Sequence, residues 1–515
     1  MKKFLALLLA FCMCTAVLVA CNDDTDVPSD SRSETDEPQQ TAEQTENETD
    51  GGKQTEEIPE DSDDTDEQTN APADTDNGGE TPDSNTVSIG SVADWEALAN
   101  SGDPDGADFS GKTVKLTANI DFGTATATTL FKTFKGTFDG CGFTVVGTAA
   151  NRMSLVANAL ENATVRNVTL SGFKIASPVV APQSGVIAMT SAGDEGLTVE
   201  NVKIVNCVID GTNVTSGDPG LGMLVGQVTN SPVTVRNVEV SGSITTQGSA
   251  NLGGLFGVLT GSCESVFESI KVDVDLEGKN IWAGGVIGYL PGTSRLTVNK
   301  AVIKGTYSST GNSGSSCALG GVVGTKNNTA VATGGASEIK NCYIDVKAYS
   351  TARYGRAAGI AGVWHKSSGS ADSITVENCY VGGEFSVYRS ENMLGQAGGL
   401  FGEYGSCSSA ITLKNVILKA AVDQTYMGSD IVADITKLGT EKSGIIGNSF
   451  STKVDGAESH TVSATGCYTT IVKAADGTDL TLPQGFAAVD GGAVSGMIKY
   501  DTNGFISEVT APAAN

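Results

Sequence analysis

The sequence predicts an all-β protein: a right-handed parallel β-helix of about nine to ten coils, with a short N-terminal capping helix, placed after a disordered tether. Three observations predict it. First, a Gly-Gly-apolar-apolar-Gly motif recurs as GGLFG at 253–257, GGVIG at 284–288, GGVVG at 320–324 and GGLFG at 398–402, with degenerate copies at 185–188, 222–226, 358–362 and 443–447. Second, the last positions of these motifs are 38, 31, 31, 36, 38, 40 and 45 residues apart, a variable period that suits a solenoid whose loops absorb insertions. Third, a Val-x-Asn-Val motif alternates with the glycines, at 165–172, 199–206 and 235–242, and again at 339–346, 376–383 and 413–420. Each repeat therefore holds short β-branched strands of period two, broken by Gly and Asn. One such unit cannot bury its apolar face alone, whereas stacked units can.

Residues 1–21 come first. Lys2 and Lys3 precede seventeen uncharged residues, Phe4 to Ala20. A membrane span needs about 20 apolar residues, so the segment reads as a secretory signal. Its end, Leu18-Val19-Ala20-Cys21, resembles the lipobox of bacterial lipoproteins, whose signal is cut before the cysteine and whose cysteine thiol receives a diacylglyceryl group. The resemblance implies acylation of Cys21, a lipid membrane as partner and a place on the outer face of the cell membrane after general export. Each buried CH2 of such an anchor contributes about 0.8 kcal/mol.

Residues 22–86 carry 23 acids and two bases, Arg32 and Lys53, and almost no large apolar side chain beyond Val27 and Ile58. Such a stretch cannot offset its conformational entropy by burial. It is expected to be a tether, spanning about 45 Å as a flexible coil and more with charge repulsion.

Residues 87–515 carry 37 acids and 28 bases. No segment has the basic surplus that phosphate binding requires, so nucleic acid is not an expected partner. The stretch 91–100 (SVADWEALAN) reads as a capping helix with Ser91 as N-cap and Val92, Trp95, Leu98 and Ala99 on one face. Residues 87–471 form the repeats, in which Asn167, Asn201, Asn237, Asn341, Asn378 and Asn415 recur at one position and are expected to stack at a strand-to-strand turn. A second helix is expected at 429–439, and residues 472–515 are expected to cap the far end. A β-propeller also repeats at this length, but Trp95, Trp282 and Trp364 share no repeat position.

The chemistry read from the repeats is sparse. The position two after the Asn column holds Thr169, Lys203, Glu239, Lys271, Val302, Tyr343, Tyr380, Ile417 and Tyr468, with no acidic pair for glycoside hydrolysis. No HExxH motif is present, and the histidines are His365 and His460. The calcium-like run Asp103 to Asp108 lacks the later ligands of such a loop and reads as a solvated turn. No metal and no cofactor are expected. Cys342, Cys379 and Cys467 share the column of Val168, Val202, Val238 and Val416 and read as small buried residues. Aromatic residues concentrate at 343–404. Tyr343 and Tyr380 are expected side by side in one outward column, Trp364 and Tyr404 in another, with Tyr354 and Arg356 nearby. Flat rings with polar tips suit sugars or protein partners, and they also stabilise stacked coils.

Together these features resemble the GLUG-motif β-helix proteins of bacterial surfaces, named for a Gly-Leu-variable-Gly repeat seen here in GGLFG at 253–257 and 398–402. The resemblance covers about residues 87–470 and implies a pectate-lyase-like solenoid. The expected function is a non-catalytic surface lipoprotein, monomeric, with a face for adhesion or for binding an extracellular glycan or a host or cell-surface protein. The alternatives are an enzyme acting on extracellular polysaccharide, a lyase or glycoside hydrolase, and a purely structural spacer.

Overall fold

The computed structural model describes residues 85–513, apart from 102–108, 152–153, 177–182, 215–216, 262–263, 293, 312–315, 329–335, 367–372, 391–392, 395, 406–409, 427–448, 451–460, 473–481 and 483. The signal, Cys21, nearly all of the tether, the acidic run at 103–108 and the expected helix at 429–439 lie outside these residues.

The repeats wind into a parallel β-solenoid with three sheets, of 20, 10 and 7 strands. The Val-x-Asn-Val motifs build the widest sheet. Its columns stack in register, as in Val168, Val202, Val238, Ile270 and Ala301 on successive coils. All five side chains are buried, the inward half of a period-two alternation. Cys342 and Cys379 take the same column and are fully buried, and Cys467 is nearly so. Their thiols are free, and burial pushes those of Cys342 and Cys467 up.

The Asn column adopts left-handed backbone at Asn167, Asn201, Asn237, Asn341, Asn378 and Asn415, with φ between 51° and 56°. For a non-glycine residue this conformation costs roughly 1–2 kcal/mol, and Asn tolerates it best because its short amide bonds locally. The side chains bond from coil to coil: Asn201 Nδ2 donates to Asn167 Oδ1 at 2.9 Å and Asn237 Nδ2 to Asn201 Oδ1 at 3.1 Å. The expected turn between strands is instead a kink inside continuous strands such as Leu197–Gly211 and Val233–Thr246. Ser269 and Lys300 make the same kink, with φ 58° and 55°.

The glycine motifs join the seven- and ten-stranded sheets. In GGVIG the chain passes from strand Trp282–Gly284 to strand Ile287–Pro291. A methyl group added at Gly284 would lie 2.5 Å from Gly324 N, and one at Gly288 would lie 2.7 Å from Leu252 N. Close approach of neighbouring backbones, not turn conformation, excludes side chains there. The structure has about six turns, fewer than the nine to ten expected. Strands Phe131–Phe134 and Ala157–Glu161 at the start, and Ser449–Phe450 at the end, join the ten-stranded sheet without a counterpart in the seven-stranded one among the described residues.

Helix Val92–Ala99 covers the first coil as expected. Ser91 Oγ accepts from Asp94 N at 3.1 Å, and Asp94 Oδ2 accepts from Gly90 N at 3.0 Å. Trp95 is fully buried, meets Phe122 edge-on at 5.5 Å and donates its indole N–H to Thr128 O at 2.7 Å. At the other end, strand Phe486–Ala488 pairs with Cys467–Thr469 and adds one strand to the wide sheet. Helix Val494–Met497 and the antiparallel pair Ile498–Tyr500 and Ile506–Val509 fold back over the outer face of the wide sheet. Among the described residues, no helix is long and apolar enough to cross a membrane.

Candidate functional site

Tyr343 and Tyr380 are neighbours in one register column, followed by Ile417 and Tyr468. Their rings stack with centroids 4.6 Å apart and planes 14° from parallel. The column points outward, as the alternation requires, but it is not open. Tyr380 is 8% exposed, and it packs with Ile417 against Val494, Met497, Ile498, Ile506 and Val509 of the C-terminal segment. Lys300 Nζ lies 3.4 Å from Asp501 Oδ2, and Lys271 Nζ lies 5.4 Å from the Phe505 ring centroid, at the same junction. Burial, then the Asp345 charge, pushes the Tyr343 and Tyr380 hydroxyls above the usual phenol range. The expectation of an open aromatic platform is thus corrected: apolar residues of the chain's own C-terminal segment lie over it.

Trp364 and Tyr404 share a register column, as expected. That column faces inward at Trp364, which is 2% exposed, so the outward placement is also corrected. Its earlier members are Val228, Leu259, Leu290 and Lys326. Val228, Leu259 and Leu290 are fully buried, a phase visible in the sequence. Lys326 is buried too, with Nζ 2.7 Å from Ser294 O and 5.0 Å from the Trp364 ring centroid. The Tyr404 side chain lies outside the described residues.

Arg356 stands on the seven-stranded sheet beside Ala318 and Gln396. Its Nε pairs with Glu403 Oε2 on the ten-stranded sheet, and its Nη1 donates to Ser316 Oγ at 2.8 Å and to Tyr354 O at 2.7 Å. Glu403 is fully buried. Arg353 and Arg356 approach the Tyr354 ring at 5.0 and 5.8 Å. A guanidinium engaged on this many sides clips two sheets together and leaves little to offer a ligand.

Among the described residues, two hollows of the outer surface gather polar side chains. One, of about 600 Å³, opens over the first rungs of the Asn column, beside Asp139, Asn167, Asn201 and Lys203. Its polar groups serve each other: Asp139 accepts from Asn167 Nδ2 at 3.0 Å, Arg166 Nε at 2.8 Å and Cys141 N at 2.9 Å. These bonds hold its carboxyl below the usual range against the opposing effect of burial.

The second hollow is a cleft of about 260 Å³ at the edge of the seven-stranded sheet, lined by Asp218, Ser249, Asn251, Asn280, Trp282 and Ser316, with Ala250 at its back. No family model and no curated protein matches the chain. The cleft must be read from its own geometry. Asp218 and Asn280 stand at turns with φ 46° and 55°. Asn251 and Trp282 are register neighbours on adjacent coils. Asn251 Nδ2 donates to Asp218 O at 2.8 Å, which ties the lip together. The half-buried Trp282 ring rests against Tyr289, with centroids 4.6 Å apart and planes at 58°. Asn280 Oδ1 is buried without a hydrogen-bond partner, a cost of about 1–3 kcal/mol unless something supplies a donor. Asp218 is exposed at the rim, yet partial loss of hydration raises its carboxyl pKa above the ordinary value.

The sequence reading passed over this cleft. Its residues come from turns on successive coils, and Trp282 carried only the negative signal of sharing no repeat position. Among the described residues, no three His, Cys, Asp or Glu side chains gather closely enough to hold a metal ion.

Proposed function

We propose that the protein is a non-catalytic surface lipoprotein. Acylated Cys21 anchors it, residues 22–86 act as the tether, and the solenoid presents a binding face for adhesion, through a glycan or a host or cell-surface protein. The lipobox-like Leu18-Val19-Ala20-Cys21 and the acidic stretch after it support the anchoring. The resemblance to GLUG-motif surface proteins rests on the glycine motifs and supports the setting. The observation that carries the binding reading is the Trp282 cleft: an accessible aromatic ring beside a buried acceptor with no partner.

The test uses cells expressing the full chain or its Cys21→Ser variant. Radiolabelled fatty acid is expected in the first and not in the second. Cells carrying the parent chain are expected to adhere to an array of glycans and cell-surface proteins more strongly than cells lacking it. Label retained by the variant would overturn the anchor, and adhesion indifferent to the chain would overturn the binding role.

A further inference from the structure

We infer that the Trp282 cleft is a monosaccharide subsite that takes one hydroxyl-rich pyranose ring, with Trp282 as its stacking face and Asn280 and Asp218 as acceptors for its hydroxyls. This inference rests on the binding-face reading above and names the ligand class at one place on that face.

Size argues first. The cavity of about 260 Å³ falls below the roughly 300–1,000 Å³ that holds a drug-sized molecule. It accommodates one ring, the terminal residue of a glycan, and not a length of chain. Hydrogen-bonding chemistry argues second. Asn280 Oδ1 is buried and has no donor. Asp218 brings a carboxylate to the same rim, where partial loss of hydration raises its pKa. Both groups are acceptors, and a ligand that satisfies them must bring donors. Sugar hydroxyls donate and also accept, which suits the amides and hydroxyls of Asn251, Ser249 and Ser316 on the same rim. The aromatic face argues third. Contact with Tyr289 at 4.6 Å holds the Trp282 ring in place before any ligand arrives. A ring already ordered loses little freedom on binding, and its flat apolar face matches the C–H face of a pyranose.

Competing ligands fit less well. An anion would meet a carboxylate, and no Lys or Arg lines the cleft. A divalent cation would find one carboxylate. A quaternary ammonium favours a box of several rings, whereas a single ring lines this cleft, beside one carboxylate, amides and hydroxyls. A stable protein partner buries about 800 Å² on each side, far more than a one-ring hollow offers.

The experiment titrates the purified full chain with D-glucose, D-galactose, D-mannose and N-acetyl-D-glucosamine, with choline as the cationic arm. Trp95 and Trp364 are buried, so a ligand-induced change in tryptophan emission reports chiefly on Trp282. A saturable change with at least one pyranose and none with choline is expected. By calorimetry, Trp282→Ala should weaken that sugar about thirtyfold, as loss of an anchoring ring typically does. Trp282→Phe should bind close to the parent, and Asn280→Ala and Asp218→Asn should each weaken it. All variants should keep the parent far-UV circular dichroism. Saturation by choline alone overturns the inference, as does emission indifferent to every sugar. If the parent binds arrayed glycans and Trp282→Ala binds them equally, the subsite is refuted while the binding-face reading stands. A blank array together with absent adhesion refutes both. Adhesion to a protein-coated surface that depends on Trp282, without any response to sugars, overturns the sugar assignment in favour of a protein partner.

Discussion

Replacing Arg356 by Ala should be among the most damaging single changes in the solenoid. Glu403 is fully buried, and Arg356 Nε is its ion-pair partner across the two narrower sheets. Removing the guanidinium takes this partner from a carboxylate held away from water and also frees Ser316 Oγ and Tyr354 O. Breaking a buried pair from one side costs about 3–5 kcal/mol. Replacing both partners by apolar residues, Arg356→Met with Glu403→Leu, removes the desolvation penalty together with the attraction. It should be near neutral, or stabilising by up to about 4 kcal/mol. A large coupling energy between the two sites is therefore expected. Urea unfolding is the assay, followed by emission of Trp364, whose preceding residue Val363 pairs in register with Glu403. Added salt should change the result little, because a buried pair is weakly screened. A single variant losing less than about 1 kcal/mol, or a double variant as unstable as the single one, would refute the reasoning.

Tyr380→Ala should loosen the C-terminal segment more than the solenoid: truncating a buried aromatic costs about 3–5 kcal/mol, and the lost contacts include Val494, Ile498 and Ile506. Limited proteolysis should then cut within 489–513 before any coil, and an unchanged cleavage pattern would count against this packing. Asp210 receives hydrogen bonds from Lys174 Nζ at 2.8 Å and Thr212 Oγ1 at 2.6 Å, which lower its pKa from 3.8 to about 2. A carboxyl depressed by folding stabilises the native state above its unfolded value, so this contribution should be lost as pH falls from 3.8 through about 2. In Asp210→Asn, unfolding midpoints measured above and below that window should differ less than in the parent, and an identical difference would refute the linkage.

The parts legible in the sequence were those written once per coil. Val202 and Val238 announced an inward column, and Asn201 and Asn237 announced a repeated left-handed kink, because identical neighbours stack in register. Trp364 was misplaced by reading an aromatic as a surface feature, although Val228, Leu259 and Leu290 at the equivalent position already set the phase inward. The C-terminal segment was harder. Val494, Ile498 and Ile506 lie outside the repeat, and no periodicity says that their partner is Tyr380, more than a hundred residues earlier. The Trp282 cleft was harder still, since turns from several coils each contribute one or two side chains and none repeats.

The asparagine column also has a direction. Every amide donates toward the preceding coil, so the C=O ends of the stacked side chains all point toward the C-terminus and their dipoles add. Each run begins on a carboxylate: Asn167 donates to Asp139 at 3.0 Å, and Asn299, the acceptor for Asn341, donates to Glu268 at 2.8 Å. A carboxylate only accepts, so Glu268 cannot pass a bond back to Asn237, and the polarisation restarts there. The rod therefore carries two shorter dipoles in series, each with a negative charge at its positive end. Such an arrangement keeps the field of a long stack from growing with every added coil.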